Sequence, residues 1–209
     1  MNYLVFDTET TGLPDDYEIP YYFTDNWPHL VQLAWLVFDK NDRIIRVGNY
    51  YIFPEGWEIP KGMPYDFDTK FCRTHGVKLS KVLKKFTVDL SYAAFVVCHN
   101  HDFDSNVIGA AYIRSGYPGS AVDKKPAYCT NKQLAPFTKI PGTNPIGTSE
   151  WKWPSLSEAH MHYMKRGFQG AHNALCDVIA TSHVFRRSRS IDPSAYEEFY
   201  YEIDLSLPF

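Results

Sequence analysis

Asp7 and Glu9 stand two residues apart at the end of an apolar run, Tyr3-Leu4-Val5-Phe6, that reads as a short buried strand. On an extended chain, side chains two apart leave the same face, so these carboxylates crowd each other. Like charges that close are costly unless a cation sits between them. Hard oxygen donors suit Mg²⁺ or Mn²⁺, which in turn bind phosphates. Taken alone, the pair could equally be two solvated acids at a strand end. A second group, Val97-Cys98-His99-Asn100-His101-Asp102-Phe103-Asp104, carries acids beyond another apolar strand. That is where sites form in open α/β sheets. A third, Gly170-Ala171-His172-Asn173-Ala174-Leu175-Cys176-Asp177, places His172 at a helix start and Asp177 inside the helix. A histidine of ordinary pKa, about 6.5, can take a proton from water near neutral pH.

Three motifs in this order, Asp7-x-Glu9-Thr-x-Gly, His99-Asn100-x-x-Phe103-Asp104 and His172-Asn-Ala-Leu-x-Asp177, resemble those of the DEDD exonuclease superfamily. The His five residues before the last Asp is similar to the DEDDh, or DnaQ-like, subtype. The tyrosine subtype would need a Tyr where Asn173 stands. The subtype includes proofreading subunits of bacterial replicative polymerases, ribonuclease T and oligoribonuclease. The resemblance covers residues 1–190. It implies an RNase H-like α/β fold, a five-stranded mixed sheet flanked by helices. It also implies 3′→5′ removal of nucleotides with two divalent ions, Mg²⁺ or Mn²⁺. By position, Asp7, Glu9, Asp104 and Asp177 would hold the ions and His172 would be the general base. The Asn-x-x-Phe-Asp spacing selects Asp104 and leaves Asp102 as a cap or turn residue. His99 and His101 are expected to be structural or to edge the substrate. Among expected substrate contacts, Thr10 and Gly12 lie near the 3′ hydroxyl and Asn100 orients its loop. Leu13 either wedges against the terminal base or simply packs.

The expected substrate is single-stranded or frayed DNA 3′ ends. The same motifs leave open an exoribonuclease, or a binding module that has kept the fold and lost catalysis. Every catalytic position being filled argues against the last.

Positioning these residues requires a particular set of elements. Residues 30–38 and 43–53 read as strands around the turn at Asp39-Lys40-Asn41-Asp42, and 94–98 and 127–129 as two more. Leu79, Val82, Leu83 and Phe86 recur at helical spacing within 78–90. Further helices are expected over about 104–115, briefly after 129, over 154–166 and over 173–188. Ser155 with Glu158 three residues on is a capping box for the fourth of these five. Residues 14–29 and 138–154 read as long loops, a kind often functional. The aromatics of 14–29 either stack on bases or pack on the core.

The 209 residues are 44% hydrophobic, 16% aromatic and 22% charged, which excludes a disordered or fibrous chain. The clean apolar run 31–38 is far short of a membrane span and contains Gln32. With no secretory signal, the expectation is a soluble cytoplasmic protein with reduced cysteines and no membrane partner. A net charge of −3 argues against coating nucleic acid by charge alone. Residues 191–209 form an acidic tail, five acids and no base, ending Asp204-Leu205-Ser206-Leu207-Pro208-Phe209. That ending resembles the peptide that replication proteins insert into the sliding clamp, with Leu205, Leu207 and Phe209 as anchors. Asp204 stands where such peptides usually carry Gln. The alternative is a tail folded back on its own domain. The tail favours DNA, and with it a role in proofreading, replication or repair beside a clamp or polymerase.

Overall fold

The computed structural model describes residues 1–144, 147 and 150–194. Among them, five strands form one mixed sheet: β1 (Tyr3–Thr10), β2 (Leu30–Phe38), β3 (Ile44–Tyr51), β4 (Phe95–Cys98) and β5 (Ala127–Cys129), in the order β3-β2-β1-β4-β5. The β1–β2–β3 meander is antiparallel, while β4 and β5 run parallel to β1. The helices are α1 (Thr69–His75), α2 (Leu79–Leu90), α3 (His101–Arg114), α4 (Thr130–Thr138), α5 (Leu156–Met164) and α6 (Ala174–Ile191). The sheet is the five-stranded mixed one expected.

Both faces of the sheet are covered, so its central strands are apolar throughout rather than alternating. Leu4 and Phe6 face one side with Leu33, Trp35 and Val37, against Val82 and Phe86 of α2 and Val107 and Ile108 of α3. Tyr3 and Val5 face the other with Ala34, Leu36 and Phe38, against Ala174, Val178 and Phe185 of α6. The strand alternation therefore turns Asp7 and Glu9 toward α6.

Two boundaries differ from expectation. The helix expected from 104 begins at His101, so Asp102 and Asp104 both lie on its first turn. Helix α1 was not anticipated. It spans seven residues and buries only Cys72, too little to show a helical period, although Asp68 caps it by accepting from the Phe71 amide. Cys72, Cys98 and Cys129 are buried thiols, the small-hydrophobe role. No helix among the described residues is long and apolar enough to cross a membrane.

Candidate active site

Asp7 and Glu9 lie at the C-terminal end of β1, opposite Ala34 and Gln32 of β2. Asp177 comes from the first turn of α6, on the same side of the sheet. One ligand oxygen from each of these three lies within 4.8 Å of the others. Asp104, expected to be the fourth ligand, does not share that mutual distance and is placed by a different route. The β1–β4 pairing covers only Tyr3–Val5 against Phe95–Val97, so beyond Val5 the β4 side of β1 has no ladder partner. Asp104, on α3 just past the end of β4, takes up that edge. Its Oδ1 accepts from the Thr8 amide at 3.1 Å and from the Thr8 hydroxyl at 2.6 Å. Asp104 is 3% exposed and Glu9 9% exposed.

The electrostatics show how poorly these acids tolerate one another. Burial lifts the Asp7 carboxyl well above its usual range, and Asp104, Asp177 and Glu9 raise it further. Glu9 is pushed to about 8 by burial and by Asp177 and Asp104. Burial also raises Asp177, to about 6, against the His172 amide that hydrogen bonds to it. Asp104 is raised by burial, with Thr8 pulling the other way. Four crowded carboxyls, two buried and two half-buried, with no Lys or Arg among the described groups that shift them, fit divalent cations, whose charge would hold all four ionised. The donors are all hard oxygens, the set that suits Mg²⁺ or Mn²⁺ rather than softer ions.

His172 is exposed on the loop before α6, in a left-handed conformation with φ 66°. It lines a cavity of about 240 Å³ together with Asp7 and Asp177. His99 and Phe168 line it too, with Ser155, Leu156 and Ser157 at the start of α5. Ser155 caps that helix reciprocally with Glu158, as the spacing predicts.

Two further histidines lie nearby, His99 on the wall of this cavity. His99 Nε2 lies 2.9 Å from the Pro154 carbonyl and Nδ1 2.8 Å from the Thr130 hydroxyl. Its burial lowers its pKa to about 4, so the ring is neutral. The His101 amide donates to Cys129 Sγ. Asp102 is exposed and pairs with Lys132, away from the four acids.

Of the expected substrate contacts, Thr10 donates its hydroxyl to the Gly12 carbonyl at 2.6 Å, fixing the turn after β1. Tyr65 donates to the Thr10 carbonyl. Leu13 is 72% exposed. Asn100 adopts the left-handed conformation at φ 84°, which Asn tolerates better than most residues, and so turns the chain from β4 into α3.

Two residues that position the site were not singled out as such from the sequence. Thr8 is an unremarkable threonine there, and only its neighbour across the chain gives it a role. Gln32 left a signal, a polar residue in an apolar strand. It is fully buried. Its Oε1 accepts from the Ala174 amide at 3.1 Å, and its Nε2 donates to Asn49 at 2.8 Å and to Asn173 at 3.4 Å. It thus ties the start of α6, and Asp177 with it, to β2.

This arrangement of sheet, helices and strand-end acids is an RNase H-like fold of the kind found in DEDD exonucleases. E. coli Exonuclease I in complex with a dA16 oligonucleotide superposes at TM-score 0.67 and 16% identity. The match covers 96% of this chain and 43% of that one, so the chain spans less than half of the exonuclease I length. Exonuclease I from Methylocaldum szegediense gives 0.65 and 18%, over 96% and 43% of the two chains. S. pombe Pop2p in its Mg²⁺- and Mn²⁺-bound form gives 0.63 and 12%, over 92% and 84%. No protein-family model and no curated protein matches the sequence.

Proposed function

We propose that this chain is a metal-dependent 3′→5′ exonuclease of the DEDDh type that releases nucleoside 5′-monophosphates from single-stranded or frayed DNA 3′ ends. The observation that carries this is the meeting of Asp7, Glu9 and Asp177 within ligand distance of one another, beside His172. Asp104 completes the acidic set. Exonuclease I, of similar fold, is known with bound oligonucleotides, and Pop2p with Mg²⁺ and Mn²⁺.

In this reading Asp7, Glu9, Asp104 and Asp177 would hold two divalent ions, which when bound would supply charge to polarise the scissile phosphate, acidify a water and stabilise the leaving oxygen. His172, exposed on its loop, takes the proton as the water oxygen bonds to phosphorus. The bond from phosphorus to the 3′ oxygen breaks, and that oxygen leaves with the shortened strand. Leu13, standing free at the end of the β1 turn, meets the terminal base. Thr10 and Gly12 meet the 3′ hydroxyl, and Asn100 holds the turn into α3.

Digestion of matched labelled DNA and RNA oligomers, with and without Mg²⁺, tests the reading. Mg²⁺-dependent shortening of DNA from the 3′ end is expected. Faster digestion of RNA would move the assignment to an exoribonuclease, and no digestion of either would end it.

The clamp-binding expectation for Leu205, Leu207 and Phe209 lies outside the described residues, as does most of the 191–209 tail. We propose it as the link to replication or repair, in the cytoplasm, alongside a polymerase. Capture of the full chain on an immobilised sliding clamp, and loss of capture for a chain ending at Asp204, are the expected results.

A further inference from the structure

The aromatic segment between β1 and β2 has two readings from sequence, and the structure divides its rings between them. Trp27 is 3% exposed and packs beside Phe103. Tyr21 lies over Gly109 of α3, where an added Cβ would meet its ring at 2.4 Å. Tyr17, at 55% exposure, faces solvent. Its ring stands edge-on to Trp27, 6.4 Å between centroids, and 6.5 Å from Phe103, the residue before Asp104.

The backbone that carries Tyr17 is tied down. The Asp15 amide donates to the Asn26 carbonyl at 3.2 Å, and the Asp16 amide to Asn26 Oδ1 at 2.9 Å. Asn26 Nδ2 donates to the Asp16 carbonyl at 2.8 Å, and Trp27 Nε1 to the Ile19 carbonyl at 2.9 Å. An exposed ring on a fixed backbone, braced along one edge, has already given up much of the freedom that binding would remove. Aromatic faces held beside a nucleic-acid path stack on bases of any type.

The charges around the ring decide which nucleic acid fits. Asp15, Asp16 and Glu18 are exposed on either side of Tyr17, residues 1–29 hold no Lys or Arg, and the Arg114 guanidinium that reaches the segment from α3 is half-buried and engaged by the Thr24, Trp27 and Pro28 carbonyls. A phosphate backbone is repelled from this surface. One strand can offer its base to the ring with its phosphates turned away. A duplex would bring the second strand's phosphates toward the acids.

We propose that Tyr17 is a stacking platform for a base of single-stranded nucleic acid entering the site, and that Asp15, Asp16 and Glu18 beside it select against paired ends. This deepens the exonuclease reading and rests on it.

The test is anisotropy of a fluorescent single-stranded oligonucleotide and of its blunt duplex, with Ca²⁺ replacing Mg²⁺ to hold off cleavage. Tyr17→Ala is expected to weaken single-strand binding about tenfold, while Tyr17→Phe, which keeps the ring, binds as the parent does. Equal binding by the parent and Tyr17→Ala would overturn the platform. Replacing the acids together (Asp15→Asn, Asp16→Asn, Glu18→Gln) is expected to raise duplex affinity several-fold relative to single strand. An unchanged ratio would overturn the selection. Because binding is read without turnover, a parent that binds but never digests would sink the exonuclease reading alone.

Discussion

Thr8 shows how a single side chain joins two parts of the site. Its amide and hydroxyl both hold Asp104, across the part of β1 that β4 leaves unpaired. Thr8→Val keeps the shape and the amide bond but removes the hydroxyl bond, worth about 1.5–3 kcal/mol to a charged acceptor. It is expected to raise the Mg²⁺ concentration for half-maximal digestion by roughly tenfold, read by metal titration of activity. At Asp7 the carboxylate is both a proposed ligand and a source of repulsion. Asp7→Asn is expected to cost activity on the order of a thousandfold. In EDTA it should melt a few degrees higher than the parent, because one of four crowded buried acids is gone. A lower melting temperature in EDTA would contradict the electrostatic picture. The same repulsion gives a pH dependence. Without metal, Glu9 rises from 4.5 to about 8 and Asp177 from 3.8 to about 6. Between those limits the folded protein binds more protons than the unfolded chain, so its stability falls as pH rises. Thermal melts from pH 4 to 8 should decline in EDTA and flatten with Mg²⁺. The identities of Asp7, Glu9, Asp104, His172 and Asp177 could all be read from motif spacing, since each belongs to a short run with its own pattern. Thr8 could not, because its partner lies 96 residues away.

At the scale of elements, the site depends on where α6 is held. Its N-terminal end is tied to β2 by Gln32. Its C-terminal end is tied to the β2–β3 turn, where Arg189 donates twice to Asp42 at 2.6 and 2.8 Å. Gln32→Leu leaves the Ala174 amide without its partner inside the protein, a cost of about 1–3 kcal/mol. The expected result is a folded protein with kcat lowered about tenfold and KM little changed, read by steady-state digestion, because Asp177 and His172 move together. Gly48 on β3 faces Trp35 so closely that an added Cβ would lie 2.2 Å from the indole. Gly48→Ala is expected to destabilise by about 1–3 kcal/mol in a denaturant melt. The major strands and helices followed from apolar runs and helical spacing. Helix α1 did not, for want of a buried face. The early start of α3 was hidden because its first turn is the polar His101-Asp102 pair, which reads as loop. What tightens that turn into helix is the left-handed Asn100 before it, a backbone choice that a sequence pattern does not display.

For the whole molecule, the net charge of −3 conceals an uneven layout. Acids gather at one end of the sheet and in the segment around Tyr17, whereas residues 70–85 carry six Lys and Arg and no acid. Long-range attraction along this chain is therefore weak, and affinity for nucleic acid has to come from the ions, ring stacking and local contacts. A chain ending at Ser194 keeps the sheet, the six helices of the described residues and the four acids. It is expected to digest oligonucleotides at close to the full-length rate, read in the same assay. A rate lowered tenfold would give the 191–209 tail a part in the domain itself.

The sequence by itself singled out the candidate residues for the proposed chemistry, because motif spacing is a local property and strand alternation puts Asp7 and Glu9 on one face. It also determined the sheet-and-helix class, because apolar runs and their periods are written along the chain. Only the tertiary structure decided that Asp104 is held at β1 by Thr8, that Gln32 anchors α6, that Leu13 stands free and that Tyr17 faces outward while Trp27 does not. Each of these depends on which distant element covers a residue, and burial of that kind arises from the packing of the sheet against its helices rather than from any short stretch of chain.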